Sequence, residues 1–181
     1  MNHKDTIFDE EILAEISGHF KLKKVDRNSI LLNEGEICKT FYFVKKGCIR
    51  NYFIDKKGYE KTRTITLEGN VGTGLSSFIT EQPSTEFIDT LEDSELLIIS
   101  RNDFFQLTST RENWKQLYQN FLETTHVHQS RKIEALMTLT AQQRFQKLMH
   151  GNPILIQRLS NKVLASFLDM REETLSRIKS Q

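Results

Sequence analysis

The chain has 181 residues, 38% of them hydrophobic and 27% charged, with 8 Gly, 2 Pro and a net charge of +1. That is the composition of an ordinary globular protein with a real core, not of a disordered or low-complexity chain. The two cysteines, Cys38 and Cys48, exclude a disulfide framework and a four-cysteine metal or iron–sulfur site. The longest apolar runs, Phe41–Val44 and Leu96–Ile99, are far short of the ~20 residues of a spanning helix. The opening MNHKDTIFDEE has no secretory signal pattern, so a cytoplasmic protein with no membrane partner is expected.

Residues 6–20 read as an amphipathic helix, with Ile12, Leu13, Ile16 and Phe20 at helical spacing and acidic residues near its start. From about residue 28 to 100 the pattern changes to short β-rich runs: Ser29–Asn33, Thr40–Val44, Cys48–Ile54, Lys61–Leu67, Phe87–Leu91 and Glu95–Ser100. Turn chemistry separates them, at NEGE (33–36), KKG (45–47), DKKG (55–58), EGN (68–70) and EDSE (92–95). The fourth run alternates, with Thr62, Thr64 and Thr66 on one face and Arg63, Ile65 and Leu67 on the other. An antiparallel barrel or sandwich is expected here. A redox pair between Cys38 and Cys48 is a weaker reading than plain packing.

Helix returns at Asn102–Leu107, with Asn102 as N-cap, and again over Arg111–Thr138. The long helix carries an apolar stripe through Trp114, Leu117, Phe121, Leu122, Ile133, Leu136 and Met137, interrupted by HVHQSRK (126–132). A helix of this length is expected to bury one face on a partner or to bridge to a further domain. His126 and His128 lie on different faces and are expected at solvent or a dimer seam, not on a metal. Ala141–His150 forms another helix, stopped by Gly151-Asn152-Pro153.

The last block, RLSNKVLASFLDMREETLSRIKSQ, reads as two short helices. Ser160 or Asn161 caps the first, which runs to Leu168. Asp169-Met170-Arg171 turns the chain, and the second helix starts at Glu172. Leu164, Ala165, Leu168, Met170, Leu175 and Ile178 fill the wedge between them, and Asp169 stands where backbone of positive φ favours Gly. This is the helix-turn-helix pattern. Its outward face offers Glu172, Glu173 and Arg177 for base edges. Lys162, Arg171, Thr174, Ser176 and Lys179 are placed for phosphates. Glu173 alternatively orients Arg177 as an i,i+4 pair. Residues 140–181 hold 7 Lys and Arg against 3 Asp and Glu, whereas the preceding residues hold 18 against 21. A basic end on a mildly acidic body suits a polyanionic partner.

The tail NKVLASFLDMREETLSRIK, together with NEGE, KKGCIR (45–50), GNVG (69–72) and LEDSELLIISRNDF (91–104), resembles the Crp/Fnr family of bacterial transcription regulators, in particular short Bacteroidetes forms. The resemblance implies an α+β chain. Residues 1–110 would form an antiparallel jelly-roll barrel of cyclic nucleotide-binding type, 111–138 a dimerisation helix, and 139–181 a helix-turn-helix domain. The implied partners are duplex DNA with a near-palindromic site, a second copy of the chain, and RNA polymerase. Glu173 and Arg177 match the family's base-reading Glu and Arg, while Glu172 stands where relatives have Arg. The chain ends at Gln181, so wing contacts after the recognition helix are not expected.

In the family's phosphate-binding cassette a Glu meets the ribose and an Arg the phosphate. Here those positions hold Thr73 and Ser84 or Thr85, with Glu86 beside them. The site so implied comprises Gly72, Thr73, Gly74, Ser84, Thr85, Gln129 and Ser130. An acidic residue in place of the phosphate cation opposes an anionic ligand, so cyclic nucleotide is disfavoured as cofactor; another small effector, or none, stays open. No nucleophile or general-base pair argues for an enzyme. The competing reading is a small-molecule sensor acting through protein contacts with a vestigial helix-turn-helix, which an Arg177→Ala substitution would leave indifferent.

Overall fold

The computed structural model describes residues 18–180. The helix expected over 6–20 lies outside them except for its last residues, of which Phe20 stacks on Trp114 at 6.0 Å between ring centroids. Eight strands follow in two antiparallel sheets. β1 (Lys21–Val25), β8 (Ser94–Ser100), β3 (Thr40–Lys46) and β6 (Val71–Gly72) form one, in the order β1-β8-β3-β6. β2 (Ile30–Leu32), β7 (Phe87–Thr90), β4 (Cys48–Ile54) and β5 (Glu60–Leu67) form the other, in the order β2-β7-β4-β5. The expected barrel therefore takes the form of two separate sheets among the described residues, not one closed hydrogen-bonded ring.

The six expected strands appear within about two residues of their expected ends, because each is bounded by a turn that its residues dictate. Gly47 between β3 and β4 has φ +93°, and a Cβ there would strike the Ser94 side chain and sit 2.8 Å from the Asp93 carbonyl. β1 and β6 were not legible: β1 is mostly exposed, and β6 is two residues long. The alternation of β5 is broken by a register shift opposite Asn51/Tyr52, where Asn51 pairs Thr64 and Tyr52 pairs Thr62. Arg63 is thus the extra residue of a bulge, which exchanges the faces of the strand. Ile65 and Leu67 on one side of the bulge pack toward the C-terminal helices, and on the other side Thr62 does so. The expectation of one threonine face and one Arg63-Ile65-Leu67 face is corrected accordingly.

Seven helices are described: α1 (Leu75–Thr80), α2 (Arg101–Thr110), α3 (Glu112–Thr138), α4 (Ala141–Gly151), α5 (Pro153–Arg158), α6 (Asn161–Phe167) and α7 (Glu172–Lys179). Several boundaries differ from expectation, among them α2, which runs from Arg101 to Thr110 where Asn102–Leu107 is expected. Ser100, not Asn102, caps α2, its side chain accepting from the Asp103 amide at 3.1 Å. Gly151 ends α4 inside the helix. Pro153 opens α5 at its first turn, where its missing N–H costs nothing, so it starts a helix instead of stopping one. Asp169 has φ +50° as its place in the turn requires, and Ser160 caps α6 through the Val163 amide.

Two apolar clusters hold these elements. The first joins both sheets to α1–α3 around Phe41, Phe78, Phe104, Trp114 and Phe121; Phe41 and Phe104 stack at 4.6 Å. Each such side chain contributes about 1.5–3 kcal/mol when fully buried. The second joins Cys48 and Leu91 to Phe145, Leu155, Leu159, Leu164, Leu168 and Leu175 of the C-terminal helices. Cys38 and Cys48 are both free and sit in different clusters, so no redox pair joins them.

Candidate functional site

The corner where β6 runs into α1 is closed by its own hydrogen bonds. Gly72 pairs with Tyr42, and a Cβ on it would lie 2.9 Å from Ile49 Cδ1 and 3.1 Å from Thr66 Oγ1, so a larger residue there would press on those two side chains. Thr73 is buried; its hydroxyl donates to the Thr40 carbonyl at 2.9 Å and meets Cys38 Sγ at 3.2 Å. Asn51, 1% exposed, donates from one amide nitrogen to the Thr73 carbonyl at 3.1 Å and to Glu86 Oε1 at 3.2 Å. The bulge at Arg63 aims its guanidinium at Glu86, which it binds in bidentate fashion at 2.7 and 2.8 Å. Ser84 donates to the Glu86 carbonyl at 2.8 Å and accepts from the Glu86 amide at 3.1 Å.

Thr73 and Ser84 are linked only through Asn51 and Glu86, and the hydroxyls of both are committed. Thr85 is exposed. Gln129, half-buried, and Ser130, exposed, make no hydrogen bond to this corner. The residues that organise it, Asn51 and Arg63, were not singled out by sequence. Asn51 sits in a strand like any other, and Arg63 reaches Glu86 only because of the bulge.

The corner continues outward. On the far side of β5, Lys132 of α3 donates to the carbonyls of Thr62 and Arg63 at 2.8 and 2.9 Å and lies 4.1 Å from the Phe167 ring centroid of α6. Burial, with the Arg63 charge adding, pushes its ammonium down to about 8. Ser166 of α6 accepts from the Thr62 amide at 2.7 Å and donates to the Glu60 carbonyl at 2.8 Å.

The α6–α7 pair carries the second candidate surface. Arg144 of α4 fixes its turn, donating to the carbonyls of Leu168 at 2.8 Å and Asp169 at 3.1 Å. Leu164, Ala165, Leu168 and Leu175 are buried in the wedge, as the sequence required. Glu172, Glu173, Ser176, Arg177 and Lys179 of α7 are exposed, as is Arg171 before it; Thr174 is half-buried. No ion pair joins Glu173 and Arg177, so both heads project independently. Two of the basic residues are engaged within the chain: Lys179 donates to Asn161 Oδ1 at 2.6 Å, and Lys162 to Glu60 Oε1 at 2.8 Å. Burial works to raise the Glu60 carboxyl, and its bonds to Lys162 and Arg50 outweigh that and hold it below the usual range. Along α3, Val127, Ile133, Leu136 and Met137 are exposed, Met137 at 80%. No group of three or more His, Cys, Asp or Glu among the described residues is arranged to hold a metal, which includes His126 and His128. No helix among them is long and apolar enough to cross a membrane.

Residues 22–111 match the family model of the cyclic nucleotide-binding domain. No curated protein matches the chain significantly by sequence. Among solved structures, the c-di-GMP responsive global regulator CLP of Xanthomonas campestris is similar at a TM-score of 0.77 with 18% identity, over 94% of this chain and 89% of that one. FixK2 of Bradyrhizobium japonicum gives 0.78 and 15%, over 90% and 83%. A Crp/Fnr-family transcriptional regulator of Eubacterium rectale gives 0.73 and 17%, over 94% and 82%. At these identities the likeness is one of fold, and it extends through the C-terminal helices.

Proposed function

From a chain whose residues 22–111 belong to the cyclic nucleotide-binding domain family and whose whole length is consistent with the Crp/Fnr regulators, we propose a sequence-specific DNA-binding transcription regulator that acts as a homodimer. The observation that carries this is the outer face of α7. Glu173 and Arg177 lie one turn apart, exposed and unpaired with each other, on a helix held rigidly by buried Leu164 and Leu175. An Arg presents a fork to guanine O6 and N7, and a Glu accepts from cytosine N4. In this reading α6 and α7 form a helix-turn-helix with α7 in the major groove, and Glu172 beside them contacts a neighbouring base. Lys162, Arg171, Thr174, Ser176 and Lys179 meet phosphates.

Two copies pair along α3, covering Val127, Ile133 and Met137, and set two α7 helices about 34 Å apart for a near-palindromic site. The chain is regulatory and not an enzyme in this reading. The effector corner takes no cyclic nucleotide in the family's manner, because Glu86 already supplies the anion that Arg63 binds. The test is retardation of fragments from the gene's own upstream region at low salt. Binding that Arg177→Ala relaxes in sequence preference supports the proposal; retardation of no fragment defeats it.

A further inference from the structure

The outer side of α3 carries a pattern that neither the Glu86 corner nor the α7 face uses. Glu123, His126, Ser130, Ile133 and Met137 recur at alternating intervals of three and four residues, and all five are exposed. That is the spacing of a seam between two paired helices, whose contact positions repeat every 3.5 residues on average. Trp114, Leu117 and Phe121, on the other side of α3, are buried in the first apolar cluster, so the seam faces away from the chain's own core.

The seam has two unlike halves. Ile133 and Met137 are apolar and suit burial on a second copy. Glu123 and His126 supply a carboxylate and an imidazole three residues apart, one above the other on the helix surface. Among the described residues His126 has no hydrogen bond or ion pair. Glu123 makes no ion pair there and accepts only from Gln119 Nε2, four residues before it, at 2.9 Å. In a symmetric parallel pair each layer of a seam meets its own copy. The Glu123 layer then brings two like charges together, with two imidazoles one layer on. A divalent cation answers both layers at once: carboxylates cancel its charge, and neutral imidazole nitrogens complete its shell. Glu and His three residues apart on facing helices are the metal-holding unit of helical bundles.

We propose that two copies of the chain form a divalent-metal site at this seam, with Glu123 and His126 of each copy as ligands. Two imidazoles and two carboxylates suit Zn²⁺. One copy brings only two ligands to this place, and within a single copy no group of three among the described residues is arranged to hold a metal. The proposal rests on the homodimer reading of α3 and deepens it, because the metal then sets how tightly the copies pair.

The full chain is stripped with EDTA, desalted and followed by sedimentation equilibrium with and without zinc chloride, with Co²⁺ as the spectroscopic probe of the same site. The expected result is one metal per two chains and a dimer dissociation constant lowered about tenfold or more by Zn²⁺, since a ligand that binds the pair alone stabilises it by mass action. H126Q should lose this response at unchanged circular dichroism. E123Q should lose it too and pair more tightly than the wild type when metal-free, because the like charges are gone. Uptake of one metal per chain, or an unchanged response in H126Q, assigns the metal to other residues and overturns the proposal. Equal pairing with and without Zn²⁺ overturns it and leaves the homodimer reading standing. A chain that stays monomeric in both conditions overturns the two together.

Discussion

Around Glu86 every polar group has a partner: Arg63 and Asn51 take its carboxylate, Ser84 its main chain, and Thr73 turns its hydroxyl to Thr40 and Cys38. Along α7 the opposite holds, with Glu172, Glu173, Ser176 and Arg177 spread on an exposed face. Both regions rest on equally firm packing, since Ile49 and Ile88 near the first and Leu164 and Leu175 under the second are fully buried. Rigidity thus does not distinguish them; saturation does. A polar network that satisfies itself has little to offer a ligand, and a rigid face whose donors and acceptors still look for partners has much.

The largest effect should come from undoing the saturated side. Glu86→Ala leaves Arg63 and Asn51 without their acceptor in a site from which water is largely excluded. Breaking a buried ion pair costs about 3–5 kcal/mol, and the 25% exposure of the Arg63 side chain places this case near 3. Urea unfolding measures it. A loss below about 1 kcal/mol would mean that the pair is a surface ornament, and the contrast with α7 would dissolve.

Next in size is the open side. Arg177→Ala should leave unfolding almost unchanged, because the side chain touches nothing it stabilises. It should cost about 1–3 kcal/mol of discrimination at one base pair in each half-site. Competition binding against single-base variants of a selected site reads this directly. Uniform weakening across all sequences, with a lower salt dependence, would instead make Arg177 a phosphate contact.

A third, smaller effect concerns the turn that presents α7. Asp169 holds φ +50° in place of Gly and pairs with Lys61 at 2.6 Å, both side chains about half exposed. Relief of the left-handed backbone is worth about 1 kcal/mol, against a surface pair of about 0–1. Asp169→Gly should therefore raise stability by about 0.5 kcal/mol, and by more in a Lys61→Gln background, where the pair is already gone. Thermal unfolding of the four proteins closes the cycle.

The two regions also differ in how far sequence reveals them. The α6–α7 pair is local: its cap, its wedge of Leu164, Ala165, Leu168 and Leu175, its strained turn residue and its outward face all fall within twenty residues and obey helical spacing. The Glu86 corner is assembled from β4, β5, β6 and the segment before β7, and what joins them is a one-residue bulge. Strict alternation puts Arg63 with Ile65 and Leu67, and nothing in the run KTRTITL announces the exchange of faces. Pro153 misled for a related reason. A proline bars a helix interior and suits a first turn equally well, and only the packing of Leu155 decides between them.

Lys132 stands where the two regions meet, which makes it the finest probe of whether they are energetically connected. It leaves α3 to cap the Thr62 and Arg63 carbonyls and faces Phe167 of α6, with Arg63 and Asp169 as the charges around it. Burial holds its folded-state value near 8, against 10.5 ordinarily. Between about pH 8 and 10.5 the unfolded chain therefore binds more protons than the folded one, and this group makes stability rise with pH across that window. Below about pH 8 the full penalty of the buried charge is present. Lys132→Met removes both the penalty and the slope. Urea midpoints at pH 8, 9 and 10 should climb more steeply in the wild type than in the variant. Parallel profiles would mean that the ammonium is solvated in both states, and that the contact between β5 and α6 rests on Ser166 and the apolar cluster alone.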